Sequence, residues 1–439
     1  MTALDGSVVN ISLPMIGKTF NSPIENLEWI VTIYLLILSG LLLGFGRLGD
    51  LRGHKAVYMA GFGVFLVSSM LCGLAPSVTF LIIVRGIQAL GAAMLAANSP
   101  AILTKTFPPE QRGQALGMSA TVTYLGLTVG PSLGGWLTSQ FSWRAVFYIN
   151  LPVGLLAIWL SWHYIREDHS SSRIEHFDLA GAITFMTGLM TLLLALNQGH
   201  AWGWTSLPIL GLLVAATLVL GIFIILQYRV QSPMLDLSLF KSRVFFFSAL
   251  SAILNYICVY TILFLMPFYL IQGRGFGSAQ AGLLLTAQPI IMAIVAPISG
   301  TLSDRIGPRI PGIIGMGALT IGLYLLSRLG PTSPNSQVVL ALITTGFGTG
   351  TFISPNTSAL MGAAPRHRQG IAAGIQATAR NFGMVLGIGL AGAVFTTVLT
   401  NLGGGDTASP ALFQAFQTSF RVVMGAGILG IITTTIRER

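Results

Sequence analysis

Long apolar runs divided by short polar loops fill this chain from end to end. A helix rising 1.5 Å per residue needs about 20 apolar residues to cross roughly 30 Å of hydrocarbon. The pattern therefore predicts fourteen helical spans, near 1–16, 29–48, 56–74, 78–103, 113–137, 145–164, 179–196, 207–226, 244–270, 279–302, 310–327, 338–361, 370–399 and 416–436.

Two of the polar loops match. Gly46, Leu48, Asp50, Gly53 and Lys55 recur as Gly300, Leu302, Asp304, Gly307 and Arg309, 254 positions further on (304 − 50). Ser99 and Pro100 return as Ser354 and Pro355 at offset 255 (354 − 99), and Pro108, Gly113, Gly117, Gly126 and Gly130 as Pro365, Gly370, Gly374, Gly383 and Gly387 at offset 257 (365 − 108). So long an offset means a duplicated domain rather than a short-period repeat. Six spans need only about 180 residues at this density, which leaves room for roughly two helices more. The expected organisation is a six-helix bundle in residues 1–166, a linker with two inserted spans in 167–240, and a second six-helix bundle in 241–439. Trp202, Gly203 and Trp204 join the inserted pair at the outer interface, where aromatic residues anchor spans.

Composition fixes the setting. Of 439 residues 53% are hydrophobic and 8% charged, against about 25% charged in soluble domains. This is an all-α integral membrane protein. Its loops are too short for a soluble domain of about 50 residues or more, which excludes an ATPase module. The formal charge of +10 does not point to nucleic acid: roughly 16 of the 23 Lys and Arg fall on one side, the cytoplasmic side by the positive-inside rule. An even number of spans puts both termini there. Cys72 and Cys258 lie in apolar runs and read as core residues.

The duplication also marks the start of the chain. Pro14 pairs with Pro267 at offset 253 (267 − 14), yet the first helix has 13 residues before its proline and its counterpart about 23. We expect that the natural protein begins upstream of Met1.

Three charges stand well inside spans: Asp5, Arg85 and Arg380. Each costs about 2.5–3.5 kcal/mol at the bilayer centre and should face a cavity or a partner. Asp5 is the one carboxylate expected within a span; it is either a cavity carboxylate that exchanges protons or a helix cap in the headgroup region. Arg85, with Gln88 on the same face at i+3, is either a functional cation or a structural arginine hydrogen-bonding carbonyls at a helix crossing. Arg380 stands evenly between such readings. Gly126, Gly130 and Gly134 recur every fourth residue and form a smooth stripe for close helix approach, with Pro131 and Gly135 inside the same string. The GxGxxG patterns at 44–49 and 387–392 lack a βαβ setting, and no metal or cofactor site is expected.

Together these residues resemble the major facilitator superfamily, and within it the drug:proton antiporters with fourteen helices. Residues 46–55 are similar to the superfamily's signature loop, residues 85–91 to its helix-four signature with Ala89 where glycine is commoner, and residues 126–135 to the antiporter signature of helix five. Residues 4–14 resemble the first-helix signature of the fourteen-helix group, with Gly6 and Ser7 in place of a more usual small residue and threonine; residues 143–152 are similar as well.

The resemblance implies two six-helix bundles that close alternately on a midplane site, and proton-coupled efflux of amphipathic or cationic drug-like molecules. Asp5 would bind a proton or cationic substrate and Arg85 tune its charge and relay protons, and Gln88 and Arg380 are counted with them as proton-coupling or substrate residues. Asp50, Arg52, Lys55 and Arg112, with Asp304, Arg305 and Arg309 of the second loop, would gate the cytoplasmic side, and the helix-five glycines would favour export. The expected partners are protons, a small-molecule substrate and the lipid bilayer of the plasma membrane; one copy suffices, and use of a periplasmic adaptor stays open. An uptake symporter or facilitator on the same fold, and a non-transporting membrane sensor or scaffold, are the competing readings.

Overall fold

The computed structural model describes residues 1–107, 112–165, 178–203, 205–230, 237–365, 369–402 and 410–437. Among these every element is helical: α1 Thr2–Phe20, α2 Ile24–Arg52, α3 His54–Gly73, α4 Val78–Thr106, α5 Arg112–Gln140, α6 Ala145–Tyr148, α7 Asn150–Tyr164, α8 Leu179–Trp202, α9 Leu207–Arg229, α10 Arg243–Phe268, α11 Ser278–Leu285, α12 Ala287–Ile306, α13 Arg309–Leu326, α14 Asn335–Gly362, α15 Gln369–Asn401 and α16 Pro410–Ile436. Ten helical segments of the described residues are long and apolar enough to cross a membrane. Counting α6 with α7 and α11 with α12, the helices fall at the fourteen expected places, which is consistent with a fourteen-span protein.

Two expected spans are interrupted, and proline explains both. Pro152 has no N–H to donate to the carbonyl of Tyr148, and α6 stops there; Pro289 stands in the same relation to Leu285, where α11 stops. Two other differences lie near the N-terminus. α1 runs to Phe20, 19 residues in all, and is closed by Asn21 in the left-handed region at φ 47°. α2 starts at Ile24 and so takes in Glu28, which is 1% exposed. Asp5 is therefore not the only carboxylate inside a helix.

The chain forms two compact units, residues 1–190 with 215–234, and 191–214 with 235–439. In the first, α1 packs on α5, and α2 and α3 pack on α4; in the second, α10 packs on α15, and α12 and α13 pack on α14. The same three pairings thus recur in duplicated order. The two signature loops also share a backbone feature: Gly53 and Gly307, at the C-terminal ends of α2 and α12, have φ 91° and 82° with ψ 130° and 160°. Glycine alone visits that region freely, because it carries no Cβ.

Burial follows function of place. α1 is an interior helix, with Val8, Val9, Ile11, Leu13 and Ile16 all at 0–1% exposure. α9 is the reverse: Leu210, Val214, Leu218, Ile222 and Ile225 form an exposed apolar stripe, a face suited to lipid rather than water. Asp178 fastens α8 to α9, accepting 2.7 Å from the Gly181 N–H and 2.6 Å from Gln227 Nε2.

Candidate functional site

Inside the first unit, four helices converge on one carboxylate. Asp5 of α1 faces Arg85 and Gln88 of α4, and both α4 residues lie on the same helix face three positions apart. Arg85 Nη1 is 2.7 Å from Asp5 Oδ2, and both side chains have no exposed surface. The other oxygen, Oδ1, accepts from Gln88 Nε2 at 3.2 Å and from Asn150 Nδ2 of α7 at 2.8 Å. Ser69 of α3 sits behind these donors, its hydroxyl 2.7 Å from Gln88 Nε2 and 3.5 Å from Asn150 Nδ2. A buried charge is tolerated only when paired and hydrogen-bonded, and this one is met on both oxygens.

Arg85 does not depend on Asp5 alone. Its Nε donates to the Ile30 carbonyl of α2 at 3.3 Å, its Nη1 also reaches Gln88 Oε1 at 2.5 Å, and its guanidinium lies 4.2 Å from the Tyr34 ring centroid. The Phe147 ring stands on another side at 5.9 Å. A cation over an aromatic face in a dry site gains up to about 2 kcal/mol. A proton arriving on Asp5 would cancel the carboxylate charge and leave the arginine still held by a carbonyl, an amide oxygen and a ring.

The glycine stripe of α5 explains how α1 comes this close. Gly126 lies by Leu4, Gly130 against the Ser7 hydroxyl, and Gly134 against Val8 and Ile11. Ser7 donates to the Gly126 carbonyl at 3.4 Å. A methyl group at Gly134 would sit 2.7 Å from Ile11 Cγ2 and 2.9 Å from the Val8 carbonyl oxygen, too close for either. Pro131 and Gly135 are buried in the same segment. In the second unit Gly383 and Gly387 of α15 approach the Ile253 and Ile257 carbonyls of α10 in the same way.

At the signature loop, Gly49 packs beneath a hydrogen bond in which His54 Nδ1 meets Asn98 Oδ1 at 2.7 Å. Asn98 Nδ2 in turn donates to the Phe45 and Met94 carbonyls at 3.1 and 2.8 Å, so α4 holds the end of α2. Lys55 donates to the Trp162 carbonyl at 3.2 Å. Gly46 lies by Ala97 and Gly300 by Ser354, while Arg52 and Arg305 are exposed and Arg309 half-buried. The side chains of Asp50, Arg112 and Asp304 lie outside the described residues, as does Trp204.

Arg380 lies on α15. It belongs to the second unit, where it is exposed and lines a cavity of about 170 Å³ with Tyr256, Phe352, Asn356, Thr357 and Gln376. Asn150, Ser69 and Tyr34 were not singled out as site residues from sequence. Asn150 had a signal, being a lone amide within an apolar run. Ser69 and Tyr34 had none, because hydroxyls of this kind are ordinary in membrane helices.

The profile of the Major Facilitator Superfamily matches residues 1–388 and 248–436. The chain is 32% identical over 400 residues to the riboflavin transporter RibZ of Clostridioides difficile, covering 91% of this chain and 86% of that protein. It is 33% identical over 401 residues to the multidrug resistance protein Stp of Mycobacterium tuberculosis (91% and 74%), and 30% identical over 397 to the tetracenomycin C resistance and export protein of Streptomyces glaucescens (90% and 74%). Its fold resembles that of a solved bacterial homologue of the lysosomal transporter Spinster in an inward-facing, unoccupied state, with TM-score 0.66 at 15% identity over 99% of this chain and 92% of that one. A duplicated helical membrane protein with these relatives is a transporter, and the chain belongs to the Major Facilitator Superfamily.

Proposed function

We propose that this protein is a proton-coupled exporter of amphipathic, drug-like molecules working by alternating access in the plasma membrane. The observation that carries the reading is the Asp5–Arg85 pair: a carboxylate buried in a membrane helix, held by donors from α4 and α7, beside an arginine with partners of its own. Protonation of Asp5 would remove the ion pair without stranding Arg85. That supplies a two-state element whose balance a proton gradient biases, as coupling requires. In this reading the α5 glycines set the seat of α1 and the signature loops, with Asp50 and Asp304, gate the cytoplasmic side. Relatives named for multidrug resistance and for tetracenomycin C export support the direction and the broad substrate class.

A second reading has one observation in its favour, the relative named as a riboflavin transporter. On that reading the same fold would carry a metabolite. Vesicles bearing the protein separate the two. Efflux of a fluorescent amphipathic dye that rises with an imposed pH gradient supports proton-coupled export; net accumulation of dye or riboflavin in cells carrying the protein favours uptake.

A further inference from the structure

We propose that Arg380 forms an anion subsite in the second unit, and that the preferred substrates are amphiphiles bearing an acidic group such as a carboxylate. The inference rests on the transport reading and names the chemistry of its substrate. Arg380 is the twelfth residue of α15, about 16 Å along the helix from its start at Gln369. A cation that deep must face a cavity or have a partner that answers it, and Arg380 is exposed to the cavity. Among the described residues no acidic side chain of its own unit answers it, and beyond residue 234 the sequence has only four acidic residues, Asp236, Asp304, Asp406 and Glu438. None lies within α10, α11, α13, α14, α15 or α16, and Asp304 stands two residues from the end of α12.

The hydrogen bond found for Arg380 is a long one, Nε to Asn381 Oδ1 at 3.5 Å, which leaves the guanidinium fork to the cavity. The cavity suits an organic anion. Phe352, Ile353, Ala252 and Ala377 supply apolar wall, while Gln376, one turn before Arg380, donates to Thr357 at 2.5 Å and carries its amide to the same rim. Asn356 is already engaged, donating to the Ser248 carbonyl at 3.0 Å and accepting from Arg437 at 3.2 Å, and so adds rigidity rather than a free ligand group. Arg85 of the first unit differs in being paired with Asp5. An arginine fork recognises planar carboxylate better than a lysine point charge does.

The test is equilibrium dialysis with the full chain in phosphatidylcholine nanodiscs, against empty discs, using 4-biphenylcarboxylate and its neutral amide. Wild type should bind the carboxylate about tenfold or more over the amide. Arg380→Gln should bring that ratio to near one while leaving amide binding unchanged, which also shows that the variant is folded; Arg380→Lys should retain part of it. A ratio near one in wild type, or one preserved in Arg380→Gln, overturns the proposal. So does loss of the preference when phosphatidylglycerol is added, which would assign the arginine to a lipid headgroup. Gradient-driven dye efflux is read separately: failure there with the preference intact would reject proton coupling and leave the subsite standing.

Discussion

Asn150 Nδ2 lies 2.8 Å from Asp5 Oδ1, closer than Gln88 Nε2 on the same oxygen at 3.2 Å. The carboxylate is therefore held from α7 as well as from α4, across 145 residues of sequence. Hydrogen bonds to a charged group contribute about 1.5–3 kcal/mol. Asn150→Leu should lower the melting temperature of the purified protein and reduce gradient-driven efflux several-fold, whereas Asn150→Ser should do less harm. An unchanged efflux rate in Asn150→Leu would show that the α7 donor is dispensable.

Removing one member of a buried ion pair costs about 3–5 kcal/mol, because the survivor stays uncompensated. Arg85→Gln should destabilise strongly, since it leaves the Asp5 carboxylate buried without its cation, whereas Asp5→Asn, the analogue of the protonated carboxyl, should cost less, because Arg85 keeps the Ile30 carbonyl, Gln88 and the Tyr34 ring. The double variant should recover part of the loss, since neither leaves a lone charge. Thermal unfolding in one detergent checks this, and strictly additive losses would mean that the two residues are not coupled.

The α5 stripe predicts a graded series. A methyl at Gly126 would meet the Leu4 backbone nitrogen at 3.4 Å, an ordinary contact, whereas at Gly134 it meets the Val8 carbonyl oxygen at 2.9 Å, which cannot move aside as a side chain can. Gly126→Ala should be nearly neutral and Gly134→Ala should cost about 1–3 kcal/mol. Gly130→Ala should cost as much as Gly134→Ala, since the methyl would also lie 2.7 Å from Ser7 Cβ, which the backbone fixes. Equal melting temperatures for all three would contradict the packing.

Gly53 and Gly307 have backbone conformations that an L residue adopts only with strain of about 1–3 kcal/mol. Gly53→Ala and Gly307→Ala should each destabilise by that order, and substitution by asparagine should not rescue, because ψ 130° and 160° lie outside the left-handed helical well that asparagine tolerates. Urea or thermal titration of the two variants reads this directly.

The apolar runs and the duplicated loop made the helices and the repeated packing pairs legible from sequence, because membrane spans write length and hydrophobicity plainly. Asp5, Arg85 and Gln88 were legible as well, since a charge in an apolar run is conspicuous. Ser69 and Tyr34 were not, because the site is assembled from five helices and their residue types occur throughout the chain. Glu28 was hidden by a boundary: α2 starts five residues before the apolar run does. The divergence of the halves also needed the structure. At the first-helix offset of 253 the position of Asp5 is Cys258, whose thiol is buried against the Val423 carbonyl at 3.8 Å, so the second unit has no carboxylate at the corresponding position.

The most direct test is dye efflux from vesicles holding equal amounts of wild type or Asp5→Asn protein, with and without an imposed pH gradient. The account predicts that the gradient accelerates efflux by wild type, and that Asp5→Asn retains only the slow rate seen without a gradient. Efflux by Asp5→Asn that still rises with the gradient as wild type does would contradict it.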